Sequence, residues 1–153
     1  MSRVSSGAER VALVVEGIRD LARTILDALT RENVACRVVL TNDGVEALDY
    51  LLGRGAYAGR DLRIMPCVAL LDLSLPRLDG LGLIREMRVH EQTRRLPVVA
   101  FSSADERQEA NAVYATGANS YIGIRPGFGP FEEMLGQVAH YWCVLNEPPP
   151  TGL

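Results

Sequence analysis

Three side chains in this 153-residue sequence sit where chemistry is done. Asp72 follows the apolar run Val68-Ala69-Leu70-Leu71, Ser102 follows Val98-Val99-Ala100-Phe101, and Glu16 follows Val11-Ala12-Leu13-Val14-Val15. A carboxylate at the tip of a buried strand costs desolvation free energy unless something offsets it. It either caps nearby amides or serves as a nucleophile or metal ligand, and for Asp72 the second reading is the stronger. Ser103 and Glu106 form a capping box for the following helix, which leaves the Ser102 hydroxyl to point toward Asp72. One kind of chemistry is excluded outright. The 16 basic residues are all arginine, so no Schiff base, P-loop lysine or ammonium held against a phosphoryl group is possible.

The elements that must position these residues follow from periodicity. The first strand is Val11 to Val15, and Ile18, Leu21, Ala22, Ile25 and Leu29 share one helical face after it. Cys36 to Leu40 reads as a second strand. Asp43 with Glu46 caps a helix running through Leu48, Leu51 and Leu52. Gly53 to Arg63 is a loop, and Cys67 to Leu71 a nearly continuous apolar strand. Leu83, Ile84 and Met87 mark a third helix, Val98 to Phe101 a fourth strand, and Ala110, Val113, Tyr114 and Gly117 a fourth helix. Ser120 to Ile124 is a short fifth strand. A last helix carries Phe131, Met134, Leu135, Val138, Trp142 and Leu145 on one face. Strands that are apolar throughout belong to a parallel sheet covered on both sides. The expectation is a doubly wound α/β domain, with functional groups beyond the carboxyl ends of the strands.

Composition narrows the function. The net charge of -3 argues against a phosphate-backbone binder, so no nucleic acid partner is expected. No apolar run approaches the about 20 residues a bilayer needs, and no secretory signal is evident, so a cytoplasmic protein without a membrane partner is expected. The three cysteines, Cys36, Cys67 and Cys143, are widely spaced; Cys36 and Cys67 lie in apolar runs and read as small core residues in a reducing compartment, and His90 and His140 are too few for a histidine-rich metal site. Residues 1–10 read as a disordered N-terminus, 11–146 as a single domain and 147–153 as a Pro-rich tail. A DNA-binding output domain is not expected. A flavodoxin-like cofactor site is disfavoured because Glu16-Gly17-Ile18-Arg19 lacks a hydroxyl- and glycine-rich phosphate cradle.

Leu70-Leu71-Asp72-Leu73-Ser74-Leu75-Pro76 with Asp79-Gly80, Asp43-Gly44-Val45-Glu46-Ala47-Leu48, and Gly117-Ala118-Asn119-Ser120-Tyr121-Ile122 resemble the receiver domain of two-component response regulators. The resemblance covers about Val11 to Trp142. The loop before the third strand and the ending Tyr141-Trp142 with Leu145 to Pro150 look like the stand-alone regulators of bacterial phytochrome-type histidine kinases. It implies a flavodoxin-like five-stranded sheet of order 2-1-3-4-5, and a phosphorelay signalling domain rather than an enzyme. By that resemblance Asp72 is the phospho-acceptor, Ser102 a phosphoryl-oxygen contact and Tyr121 the aromatic switch. Glu16 is the first acid of the pocket, and Mg²⁺ is held by Glu16, Asp72 and the Ser74 carbonyl.

Two positions depart from the pattern. Gly17 stands where the family carries its second acid. Ile124 stands at the lysine position in a gapless alignment, whereas a one-residue bulge would bring Arg125 there. The gapless alignment is the better supported, because it keeps Phe128, Phe131, Tyr141 and Trp142 in register. An intact site holds three acids and one base, formally -2, and Glu16 with Asp72 alone give the same sum. The charge survives while Mg²⁺ and phosphoryl stabilisation weaken. The expectation is an atypical receiver that signals by contact with a histidine kinase or downstream partner. The alternative is a working phospho-acceptor with altered Mg²⁺ dependence, in which Arg125 serves the phosphoryl group. Tyr141, Cys143 and Val144 add apolar surface to the final helix, read as a homodimer face in preference to one covered by the tail. Arg85, Arg88, Arg94 and Arg95 read as solvated surface.

Overall fold

The computed structural model describes residues 10–31, 36–102, 107–124 and 130–150. Its elements in chain order are β1 (Arg10–Val15), α1 (Arg19–Arg31), β2 (Cys36–Thr41), α2 (Gly44–Leu52), β3 (Val68–Asp72), α3 (Gly80–Val89), β4 (Val98–Ser102), α4 (Arg107–Thr116), β5 (Ser120–Gly123) and α5 (Phe131–His140). A π-helical turn, Tyr141–Leu145, continues α5. All neighbouring strands pair in parallel, in the order β2-β1-β3-β4-β5.

The alternation of each strand builds two cores. Leu13, Val15, Ala69, Leu71, Val98 and Ala100 pack with Leu51, Leu83, Ile84 and Met87 of α2 and α3. Ala12, Val14, Val68, Leu70, Val99 and Phe101 pack with Ile25 and Leu29 of α1 and Leu135 and Ala139 of α5. Two covered faces are the reason β3 and β4 are buried at every position.

The loop after β3 is pinned to the start of α2. The Asp43 carboxylate accepts the Glu46 amide at 2.7 Å, and Glu46 returns an acceptor to the Asn42 amide at 2.8 Å. Asp43 also receives two guanidinium bonds from Arg77, each 3.1 Å. Arg77 holds a left-handed φ of 67°, a conformation costly for a side-chain-bearing residue, and the Asp43 pair helps to offset it. Glycine is required at position 44, where a Cβ would stand 1.9 Å from the Leu78 carbonyl oxygen.

Several expectations need correcting. Ile18 precedes α1 and is exposed rather than on its core face. Tyr114 is exposed, its hydroxyl accepting from the Tyr121 amide. Leu145 is exposed and Cys143 is buried, because the π turn carries an extra residue and rotates the chain relative to a 3.6-residue helix. Arg88 is not solvated surface. Its guanidinium donates to the carbonyls of Gly117, Thr93, Arg94 and Leu96 and to Asn119 Oδ1, clasping α3 to the turn before β5. The tail segment Pro148–Pro150 does not cover Tyr141, Val144 and Leu145. It runs over the amino edge of the sheet, where the Pro150 carbonyl accepts from Arg95. The Ser103–Glu106 box, Arg125, Phe128 and the stretch 1–9 lie outside the described residues. Among the described residues no helix is long and apolar enough to cross a membrane.

Candidate functional site

The strand order reverses at β1, whose neighbours are β2 on one side and β3 on the other. Connections from β1 and β3 therefore leave on opposite faces and open a crevice beyond their carboxyl ends. Glu16 lies just past β1 and Asp72 ends β3, so the two carboxylates flank it. Ser102 ends β4, one residue beyond Phe101, the register partner of Asp72. All three are buried.

Glu16 is the most perturbed of them. It is 0% exposed, and burial together with the neighbouring Asp72 charge lifts its carboxyl from 4.5 to about 7, against the opposing pull of the Ile18 amide. Oε2 accepts that amide at 3.0 Å. Oε1 is buried with no hydrogen-bond partner among the described residues. Such an oxygen is satisfied either by a proton shared toward Asp72 or by a cation. Asp72 Oδ1 accepts from the amide of Ser74, which fixes the carboxylate at the strand tip.

Position 17 has little room. A Cβ there would lie 3.1 Å from both the Asn42 carbonyl oxygen and Pro76 Cδ. Across the site, the ladder between β4 and β5 runs without a bulge from Val99↔Ser120 to Ser102↔Gly123, and the Ile124 amide continues it to the Ser102 carbonyl at 2.8 Å. The Ile124 side chain packs on the α1–α5 core. The Tyr121 hydroxyl donates to Glu109 on α4, tying β5 to that helix. The sequence reading missed Glu109, and it placed Thr41 at the carboxyl end of a strand without giving it a role. Thr41 is a buried β2-terminal residue whose hydroxyl donates to the Val14 carbonyl and whose own carbonyl accepts the Glu16 amide. Its position at the end of a strand was the available signal.

A doubly wound parallel sheet with a carboxylate pair at its switch point defines a class of acidic-crevice α/β domains. Comparison with known families narrows it. Residues 12–123 match the response regulator receiver domain, and the chain belongs to that family. The probable methanogenesis regulatory protein FilR2 of Methanothrix harundinacea is 32% identical over 141 residues, 91% of this chain and 87% of that protein. The phosphorylated cyanobacterial phytochrome response regulator RcpA is similar in structure, with TM-score 0.83, 28% identity and coverage of 93% of this chain and 99% of that one. The bacteriophytochrome response regulator RtBRR has TM-score 0.71 and 35% identity over 94% of this chain and 86% of its own. The chain is thus a two-component receiver related to phytochrome response regulators.

Receiver domains bind Mg²⁺ or Mn²⁺ at this crevice. The residues present fit a hard cation, since Glu16 Oε1 is unpartnered beside the Asp72 carboxylate. Position 17, next to Glu16, is glycine and brings no side-chain ligand.

Proposed function

We propose that this receiver signals mainly by contact with a phytochrome-type histidine kinase or a downstream partner, with Mg²⁺ binding and phosphorylation at Asp72 both weakened. The observation that carries the reading is Gly17. The position that would supply a second carboxylate has none, and Asn42 and Pro76 close in on the space its Cβ would occupy. Ile124 supports it from the other side of the site, packing its side chain into the core where the family places a cation.

On this reading Glu16 and Asp72, with the Ser74 carbonyl, would hold Mg²⁺, which when bound screens charge on phosphoryl oxygens. The chain's own residues do the rest. Asp72 presents its carboxylate to a phosphoryl donor, held by the Ser74 amide. Ser102 serves the phosphoryl oxygens, and Tyr121, tied to Glu109, couples the site to α4. Without lysine, charge stabilisation of the transferred group is short by one cation, and charge stabilisation supplies most of the catalysis in such transfers.

The partner surface is the end of the C-terminal helix. Tyr141, Val144 and Leu145 are exposed, and the described part of the tail, through Pro150, leaves them uncovered, which supports a homodimer face. The reading places the protein in the cytoplasm, as a signalling domain rather than an enzyme.

The second reading is a working acceptor with altered Mg²⁺ dependence, favoured by Asp72 and Ser102, both buried at the tips of adjacent strands. Incubation with acetyl phosphate and Mg²⁺, followed by intact mass, separates the two. Slow, partial phosphorylation supports the first. Rapid stoichiometric phosphorylation lost in Asp72→Asn supports the second.

A further inference from the structure

The amino edge of the sheet, opposite Asp72, carries a feature the receiver chemistry does not use. Cys36 opens β2, Cys67 immediately precedes β3, and Cys143 lies in the π turn after α5. Three elements distant in sequence bring their sulfur atoms together, all within 4.8 Å of one another. None of the three is in a disulfide. We propose that Cys36, Cys67 and Cys143 form a three-thiolate site for a divalent thiophilic cation of the Zn²⁺ class.

The spacing fits. Sulfurs held about 2.3 Å from a common ion stand about 3.8 to 4.0 Å apart, so the observed trio closes on an ion by small side-chain adjustments. The backbone fixes the convergence. Arg10 pairs with Cys36 in the β1–β2 register, and the Cys67 amide donates to the Val11 carbonyl at 2.7 Å. The Arg10 guanidinium donates to the carbonyls of Cys143 at 2.9 Å and Asn146 at 3.1 Å, holding the π turn against the sheet.

Charge selects the ion. Three thiolates and a divalent cation sum to -1, which the adjacent Arg10 guanidinium offsets while it also pairs at 3.8 Å with the largely exposed Glu147. A monovalent cation would leave the cluster at -2 beside a largely apolar core. Space and access are present as well. A cavity of ≈ 10 Å³ lined by Leu29, Cys36, Val38 and Cys143 is about the size of one water, enough for the fourth position of a tetrahedral ion. On the other side, Cys67 lines a pocket of ≈ 220 Å³ with Arg10, Arg95 and Pro148, a route from the surface. Binding releases the thiol protons to solvent and changes no oxidation state. The loaded site clamps the end of the C-terminal helix to β2 and β3.

The test uses the reduced, metal-free full chain and Co²⁺ as a spectroscopic probe, with Zn²⁺ in competition. The expected result is one equivalent of Co²⁺ with a sulfur-to-metal charge-transfer band. Zn²⁺ should displace it and raise the thermal midpoint. A cation at the Asp72 crevice gives no sulfur band, so the two sites are not confused. Cys36→Ser, at the least buried of the three, should weaken Zn²⁺ binding at least about 100-fold. Cys36→Ala and Cys143→Ala, each checked for folding by circular dichroism, should do the same. The proposal is overturned if reduced protein shows no sulfur band, or if folded single-cysteine variants bind Zn²⁺ as well as the parent. It is also overturned if the reduced chain takes up no Zn²⁺ while air oxidation joins two of the cysteines, which would make the cluster a redox pair.

Discussion

Glu16→Gln should make the protein more stable at mildly alkaline pH, although it removes a residue of the functional crevice. The Glu16 carboxyl is held at about 7 against its ordinary 4.5, first by burial and then by Asp72. Below pH 4.5 folded and unfolded chains both carry the proton, and the contribution to stability is fully present. Between 4.5 and about 7 the folded state keeps a proton that the unfolded chain has released, so stability falls as pH rises. Above about 7 the loss is complete, and at about 1.4 kcal/mol per pH unit it amounts to about 3 kcal/mol. Glutamine preserves the shape, keeps an oxygen to accept the Ile18 amide and offers Asp72 a donor in place of a charge. Urea unfolding of both proteins across this pH range isolates the effect, because other titrating groups are common to the pair. The difference should be small near about pH 5 and grow to between about 1 and 3 kcal/mol in favour of the variant near about pH 8. Mg²⁺ should narrow it by stabilising the parent more. A flat difference, or a variant less stable at the alkaline end, would refute the account of Glu16 as a buried, strained carboxyl.

Three further outcomes follow from the same geometry. Gly17→Asp should tighten Mg²⁺ binding, measured calorimetrically. It should also cost the metal-free protein about 1 to 3 kcal/mol, because its Cβ presses on Asn42 and Pro76 and its charge adds to Glu16 and Asp72; unchanged Mg²⁺ affinity would count against the missing-ligand argument. Arg88→Ala should lose about 2 to 3 kcal/mol in urea unfolding, since it strands carbonyls on two sides of a half-buried guanidinium; a loss within the range of an ordinary surface substitution would mean water replaces it. Val144→Glu should shift sedimentation toward monomer with little change in stability, and a concentration-independent monomer in the parent would remove the dimer face altogether.

Asp72, Ser102 and Glu16 were legible because each follows an unbroken apolar run, and buried strands in a parallel sheet end on polar residues at one edge. The Asp43 cap was legible because the partners of a capping box are local in sequence. The failures are tertiary. Arg88 binds mostly backbone carbonyls, which leave no trace in residue type. Leu145 was placed by extending a 3.6-residue period through a turn that is π-helical, and Cys143 moved inward for the same reason. The meeting of three cysteines depends on the β1–β2 register and on that turn together, so spacing along the chain concealed it. The raised Glu16 carboxyl likewise required its depth of burial and the proximity of Asp72, neither of which a motif encodes.

On the proposed reading, Gly17 and Ile124 together weaken phosphorylation on an otherwise sound receiver scaffold. The most direct measurement is the time course of acetyl phosphate labelling with Mg²⁺, read by intact mass, for the parent and for the double variant Gly17→Asp with Ile124→Lys. Slow, incomplete labelling of the parent is expected, with faster labelling of the double variant toward one phosphoryl group per chain, abolished by adding Asp72→Asn. Rapid, complete labelling of the parent, unimproved by the two substitutions, would contradict that reading.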